Sequence, residues 1–405
     1  MLTQFHYSTL PTGLRMVAIH RPGAPVGHCG VVVGAGSRDE DSDRYGLAHF
    51  VEHTIFKGTR RRRAWHILNR METVGGELNA FTTKEETTLY TTYPAGCLAR
   101  ALDLLADLTC DSVFPEGELE KERQVVEDEI DTYLDIPSEG IFDDYDEAAF
   151  AGSQLAHPIL GTRDSLARLG SAECRDFLDW FYTPGRMLLF YSGPTAPDRF
   201  FRMAERYFSP LTRPDTPYNR ILPPEVATFD IERPIGSHQA HTVLGARIGG
   251  VKSPYRYAMA LLTNILGGSG MNSLLNVALR ERRGLVYTID ASTSLLSDSG
   301  LFTIYFGCDR EDTAKCLRLC RGIVGDCAAT AMTPRRLEQA KTQYLGQLAV
   351  SLTNTEQSAL AVARSTLLHG RATTMAETEE RIRNVSAADL LDAAASLQLS
   401  RLTLC

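Results

Sequence analysis

Two histidines and a glutamate stand close together in the segment HFVEH, which runs from His49 to His53. If this segment is helical, the two histidines lie one turn apart on one face and can bind the same tetrahedral metal ion. Glu52 lies on that face as well, where its carboxylate can take a proton from an attacking water and pass it to a leaving amine. The pattern indicates metal-assisted hydrolysis, although HxxEH also occurs by chance on solvated helices.

A third metal ligand is needed, and the acidic segment 115–134 offers two candidates. Glu122 and Glu129 are seven residues apart, which places them on one face of a helix with Val125 between them. One glutamate can bind the metal, and the other can accept a hydrogen bond from a ligand histidine. Alternatively, this acidic helix simply faces water. The presence of HFVEH in the same chain favours the metal site, because an inward carboxylate is costly unless it meets a cation.

The elements that must position these residues follow an α+β order of strands, then helices, then a returning strand. Apolar alternation predicts strands at 5–8, 15–20, 28–33 and 187–192 and a hairpin over 77–93. Helical spacing predicts helices at 46–58, 63–75, 96–112, 115–134 and 171–182.

The segment 209–225 contains five prolines and is predicted to link two domains. The same order of elements returns beyond it: a strand at 241–248, helices at 254–266 and 271–283, a hairpin, and helices at 311–327 and 333–350. We therefore predict an internal duplication with a zinc-binding catalytic domain (1–210), a linker (211–225) and a homologous domain without metal (226–405).

The two halves differ in chemistry when they are aligned. SDRYGLAHFVEH lies over SPYRYAMALLTN, and LEKERQVVEDE lies over LEQAKTQYLGQ. The residues of the second half that stand opposite the five polar residues cannot bind a metal together: Ala260, Thr263, Asn264, Ala340 and Gln347. Structural need alone does not explain this asymmetry, which favours a functional role for the first set.

Three segments, HFVEHTIFKGT, GGELNAFTTKEETTLY and ELEKERQVVEDEI, resemble the inverted-motif zinc peptidases of the pitrilysin family M16. The closest branch is that of the mitochondrial processing peptidase and its bacterial relatives. The resemblance implies His49, His53 and Glu129 as ligands of one Zn²⁺ per chain, Glu52 as general base and Glu122 as supporting carboxylate. It also implies two homologous α/β domains, each a mostly antiparallel sheet packed with helices, that form half of a clamshell chamber.

The second half contains LGGSGMNSLLNVALRERRGLVYTI, which resembles another segment of this family. The resemblance implies that Arg280 and Tyr287 hold the substrate backbone and stabilise the oxyanion. The alternative is a surface arginine and a core tyrosine. Relatives often have Ser-Arg-Leu-Phe where this chain has Ser-Leu-Leu-Asn at 273–276, which leaves the substrate preference open.

The segment ELNAFT at 77–82 is predicted to be an edge strand near the metal, to which a peptide can add as a further strand. Asn79 and Ala80 are candidates for backbone contacts with that peptide. Phe81 either lines a substrate pocket or belongs to the core.

Composition disfavours several other classes of protein. The net charge of −8 argues against a nucleic-acid partner, and four arginines at 60–63 are more typical of a solvated loop. An acidic cluster at 143–147 either attracts basic peptides or is plain surface. No apolar run predicts a membrane span, and no signal peptide is evident. Nine scattered cysteines without a CxxC motif are typical of reduced thiols in the cytoplasm.

We therefore expect a zinc endopeptidase that cleaves short or unfolded polypeptides in a closed chamber formed by a homodimer. A heterodimer with a related subunit is the alternative assembly. The main alternative function is that of a non-catalytic family member that acts in assembly or substrate recognition. Such members usually lack part of the metal set, which is complete here.

Overall fold

The computed structural model describes residues 4–405, so the first three residues of the predicted catalytic domain lie outside the described residues. The chain forms two compact units. The first contains residues up to Asp131, His157–Arg220 and Ser351–Thr374, and the second contains Thr132–Ala156, Ile221–Val350 and Met375–Cys405. Each unit thus includes a segment from the other half of the sequence. The division of the sequence into two homologous domains with a linker at 211–225 remains a prediction.

The strands are, in chain order, β1 (Phe5–Thr9), β2 (Arg15–His20), β3 (Val26–Val33), β4 (Glu77–Thr82), β5 (Thr87–Pro94), β6 (Met187–Gly193), β7 (Asp230–Arg233), β8 (Gln239–Gly249), β9 (Val286–Leu295), β10 (Ser299–Asp309) and β11 (Ser400–Leu404). The α-helices of the first 210 residues are α1 (Leu47–Thr54), α2 (Ala64–Glu72), α3 (Leu98–Asp111), α4 (Glu116–Asp135), α5 (Pro137–Ala149), α6 (Arg163–Leu166), α7 (Ser171–Phe181) and α8 (Pro197–Phe208). Those that follow are α9 (Arg256–Gly267), α10 (Thr313–Ala329), α11 (Pro334–Ser351), α12 (Thr355–His369), α13 (Met375–Arg383) and α14 (Ala387–Ala395).

The first unit contains a six-stranded sheet in the order β1-β2-β6-β3-β5-β4. All neighbouring strands are antiparallel except β2 and β6, which are parallel. One face of the sheet packs on the main core with α1 and α3, and the other face packs on α12. β6 is covered on both faces, so all of its residues are buried, and most of them are apolar. β4 lies at one edge, as predicted.

The second unit repeats this topology in a five-stranded sheet, β7-β11-β8-β10-β9. Its one parallel pair is β7 with β11, and the other pairs are antiparallel. The spatial run β2-β6-β3-β5-β4 of the first sheet therefore corresponds to β7-β11-β8-β10-β9 of the second. The two runs have the same chain order and the same strand directions. The predicted fold class, α+β with two domains that each pack a mostly antiparallel sheet with helices, is confirmed.

Some elements were not recognised in the sequence. Helices α5 and α8 each begin with a proline at the first helical position, where the missing N–H costs nothing, but a proline also reads as a break. The acidic cluster at 143–147 lies within α5, where Asp144 accepts a hydrogen bond from Arg233 at 2.7 Å. The predicted helix at 271–283 is instead a π-helical turn over Asn276–Glu281. No helix within residues 4–405 is both long enough and apolar enough to cross a membrane.

Candidate metal centre

Helix α1 carries three of the predicted site residues in two turns. It packs Leu47, Phe50 and Val51 into the core of the first unit, and this fixes the direction of its opposite face. His49 is buried at 7% exposure, whereas Glu52 and His53 are partly buried. The predicted helix at 46–58 is therefore present as α1, followed by a tight turn over Ile55–Lys57.

The side chains of His49, His53 and Glu129 meet between α1 and α4. Glu129 Oε2 lies 3.8 Å from His49 Nε2 and 3.5 Å from His53 Nε2, and one ligand atom from each residue lies within 4.8 Å of the others. Ligands bound to a tetrahedral zinc at 2.0–2.2 Å lie about 3.3–3.6 Å apart. The donor set and its spacing therefore fit a zinc ion, which His49, His53 and Glu129 would hold.

Charge and burial act in opposite directions on the two histidines. Burial, reinforced by the nearby His53, lowers the pKa of His49 to about 4, so its imidazole is neutral and able to bind a metal. Burial also opposes protonation of His53, but hydrogen bonding to Glu129 and the surrounding carboxylates outweigh it and raise the pKa. The hydrogen bond from His53 lowers the pKa of Glu129.

Glu122 contacts His53 at Nδ1, the ring nitrogen that does not face Glu129. Its Oε2 lies 3.4 Å from His53 Nδ1, and its Oε1 accepts a hydrogen bond from Lys57. The Lys57 ammonium and the His53 ring thus hold the two oxygens of one carboxylate. A hydrogen bond to Nδ1 orients the ring so that Nε2 faces Glu129. His49 Nδ1, by contrast, is buried without a hydrogen-bond partner among the described residues.

Glu52 lies beside this cluster but is not one of its three members. Burial raises the pKa of the Glu52 carboxyl, while its proximity to Thr82 at the end of β4 and to His53 opposes the shift. The carboxylate therefore sits between the edge strand and the cluster. This is where a base would have to lie to reach both a water and a peptide held along β4.

The three predicted peptide-contact residues alternate along β4. Ala80 packs against the core, on the same side of the strand as Thr82, and Asn79 is exposed on the other side. Phe81 is partly buried and meets Tyr90 edge to face, with ring centroids 6.3 Å apart. Asn79, Ala80 and Phe81 thus belong to a strand that, within residues 4–405, pairs only with β5 and leaves its other edge open.

Arg280 and Tyr287 belong to the second unit. Arg280 lies in the π-helical turn and is exposed. Tyr287 is 57% exposed at the start of β9 and donates a hydrogen bond to Asp309 Oδ1 at 2.9 Å. Neither belongs to the histidine cluster. The alternative of a core tyrosine is wrong, because more than half of this side chain is exposed.

The sequence interpretation missed several residues around the site. Lys57 follows His53 by four residues and its ammonium reaches Glu122, so helical spacing could have found it. The expectation of a solvated arginine loop is wrong for Arg62, whose side chain is 15% exposed and pairs with Asp107, which is fully buried on α3. Arg61 also pairs with Asp107, but its side chain is exposed, as expected.

Comparisons with known proteins agree with this geometry. The family model described as insulinase (peptidase family M16) matches residues 15–163, and the model described as peptidase M16 inactive domain matches residues 169–344. An uncharacterized zinc protease of Bacillus subtilis, YmxG, is 32% identical, with 94% of this chain and 92% of the relative covered. An uncharacterized zinc protease of Mycobacterium tuberculosis is also 32% identical, with 97% and 90% covered.

Solved structures show the same fold at lower identity. A protease from Helicobacter pylori has a TM-score of 0.90 at 21% identity and covers 100% of both chains. A peptidase M16 inactive domain from Pseudomonas fluorescens has a TM-score of 0.91 at 17% identity, with 99% of this chain and 97% of the other covered. Since family models match both halves and relatives match over nearly the whole length, the chain belongs to the insulinase family M16 and is a zinc protease of that family.

Proposed function

We propose that this protein is a zinc-dependent endopeptidase that hydrolyses short or unfolded polypeptides inside a closed chamber. Within the M16 family we place it with the short-subunit branch of the mitochondrial processing peptidase. The observation that carries the proposal is the meeting of His49, His53 and Glu129 on one side of Glu52.

The proposed roles follow from the position of each group. His49, His53 and Glu129 hold one zinc ion per chain, and Glu122 keeps the His53 ring in place. When bound, zinc supplies the Lewis acidity that makes water a nucleophile near neutral pH and polarises the scissile carbonyl. Two histidines and a carboxylate also accept cobalt or manganese.

Glu52 is the proton carrier in this proposal. Its partly buried carboxylate takes a proton from the attacking water and passes it to the leaving amine. Burial raises its pKa, which makes the carboxylate a stronger base than one in water. The open edge of β4 holds the peptide backbone beside Glu52 through Asn79 and Ala80, while Phe81 contributes to a side pocket.

Arg280 and Tyr287 complete the proposed site by holding the substrate backbone and stabilising the oxyanion. Their exposure leaves both side chains accessible to a substrate. We propose a homodimer, because a chain of two homologous domains provides half of the chamber that the family resemblance implies. The nine cysteines are all free thiols, which supports a cytoplasmic location.

The proposal is tested by digestion of a peptide library with the purified protein, with and without a chelator, followed by mass analysis of the products. We expect internal cleavage that disappears on chelation and returns when zinc is added. Cleavage that persists in the metal-free protein would exclude the zinc mechanism. Zinc binding without any cleavage by the purified chain would favour the alternative, a non-catalytic subunit that acts in assembly or substrate recognition.

A further inference from the structure

Glu40 is a fully buried glutamate at the start of the metal-binding helix. Its side chain is 0% exposed, although carboxylates are almost never buried without partners. One oxygen accepts the backbone N–H of Gly46 at 2.8 Å, and the other accepts that of Ala48 at 2.7 Å. The first amide belongs to the residue directly before α1, and the second lies in the first turn of the helix.

The hydrogen-bond acceptor for these amides has to come from outside the helix start, because residue 46 cannot provide one. Helices usually begin with a Ser, Thr, Asp or Asn whose side chain binds the first free amides. Here the residue before α1 is Gly46, with φ +90°, a conformation that other residues adopt at a cost. A Cβ at this position would lie 2.4 Å from the carbonyl oxygen of Leu160. Glu40 therefore supplies what residue 46 cannot.

The surroundings of Glu40 keep it in place. The next residue towards the N-terminus, Asp39, accepts hydrogen bonds from Arg220 Nε at 2.9 Å and Nη2 at 2.7 Å. On another side, His157 Nε2 lies 3.9 Å from Glu40 Oε2, and the His157 ring stacks on Tyr45 at 3.8 Å. The Glu40 side chain is thus held by packed neighbours.

This arrangement has a consequence for the metal ligands. His49 directly follows Ala48, whose amide Glu40 holds, and His53 is one turn further along the same helix. Metal–ligand distances in a well-formed site lie within about 0.2 Å of their standard values, so the position of the helix matters. We propose that Glu40 is a positioning residue of the metal centre, whose carboxylate anchors the first turn of α1 and thereby sets His49 and His53 opposite Glu129. This inference rests on the proposed zinc site.

The test compares Glu40→Gln with Glu86→Gln. Glu86 is a matched control: it is another buried glutamate of the first unit, 5% exposed and 3.3 Å from Arg364 Nε. Glu40→Gln keeps the side-chain volume, but its single carbonyl oxygen can accept a hydrogen bond from only one of the two amides. We expect zinc affinity, measured by competition with a chromophoric chelator, to fall about tenfold in Glu40→Gln and to stay unchanged in Glu86→Gln.

A second readout separates positioning from general destabilisation. The visible absorption spectrum of the Co²⁺-substituted protein reports ligand geometry, and we expect it to change in Glu40→Gln only. An unchanged affinity and spectrum in Glu40→Gln would overturn the inference. If that variant does not fold, Glu40→Asp decides in the same way, since it keeps the charge but cannot reach both amides. If the wild-type protein itself binds no zinc, the proposed function fails rather than this inference.

Discussion

Asn264 Nδ2 donates a hydrogen bond to Gln347 Oε1 at 2.7 Å. Under the sequence duplication these two residues stand where His53 and Glu129 stand in the first unit, which are also in contact. The two helices that would form a metal site in the second unit, α9 and α11, therefore approach each other as α1 and α4 do. The uncharged side-chain amides of Asn264 and Gln347 thus occupy the positions of two metal ligands. They hydrogen-bond to each other, so they need no metal ion.

This correspondence predicts that a second metal site can be built. The triple variant Ala260→His, Asn264→His, Gln347→Glu should bind a second zinc ion per chain, because it places the same three ligand types at corresponding positions. Zinc content of the purified variant measures the outcome. The double variant that keeps Gln347 is the control and should bind the second ion more weakly. A triple variant with the zinc content of the wild type would contradict the correspondence of the two units.

The proposed roles of Glu52 and Glu129 can be separated by two substitutions. Glu52→Gln should keep its zinc but lose cleavage by about 100- to 10,000-fold, because the proton carrier is gone. Glu129→Gln should instead lose the metal, since a ligand carboxylate has become a neutral amide. Zinc content and peptide cleavage are measured on both proteins. If Glu52→Gln emptied the site while Glu129→Gln stayed loaded, the two roles would be reversed.

Glu122 should affect metal affinity through His53. Its substitution by Gln removes the charged acceptor at Nδ1, and we expect zinc affinity to fall by roughly 10- to 100-fold. Chelator competition measures this change. The matched control is Glu118→Gln on the same helix, because Glu118 pairs with Lys121 at 2.7 Å away from the histidines. Equal affinities in the two variants would show that Glu122 is not coupled to the metal site.

The proposed dimer predicts complementation between two inactive variants. The proposed arrangement, which rests on the family resemblance, has Arg280 and Tyr287 of one chain act on the zinc site of the other. Homodimers of Glu52→Gln, and of Arg280→Ala with Tyr287→Phe, should both be inactive. A heterodimer of the two should recover activity, because it rebuilds one complete site. Co-expression with different tags yields the mixed dimer, whose peptide cleavage is then measured, and a verified heterodimer without activity would refute the arrangement in trans.

Asp107 should contribute strongly to the stability of the first unit. It is fully buried and binds Arg61, Arg62 and the Thr59 hydroxyl. Asp107→Ala removes the acceptor of that hydroxyl and one of the two carboxylates that bind the arginines, since both also contact Asp103. We expect the free energy of unfolding to fall by about 3 kcal/mol. Urea unfolding of the metal-free protein measures it. The control is Asp111→Ala, whose contact with the exposed Arg60 is 3.9 Å long and should change stability by less than about 1 kcal/mol.

Much of the candidate site could be read from the sequence because its residues are spaced by helical geometry. His49, Glu52 and His53 share one face of any helix that contains them, and Glu122 and Glu129 share one face of another. The duplication was also visible, since both halves repeat the same order of elements. These features depend on local periodicity, which the order of residues determines by itself.

Contacts between distant segments required the tertiary structure. Spacing alone did not distinguish which of Glu122 and Glu129 faces the histidines, and the structure places Glu129 against both Nε2 atoms and Glu122 against Nδ1 of His53. Arg62 looked like part of a solvated loop because its partners, Asp103 and Asp107, lie more than forty residues away. Glu40 showed no signal at all, because its partners are backbone amides, whose positions depend on how the chain folds and not on residue type.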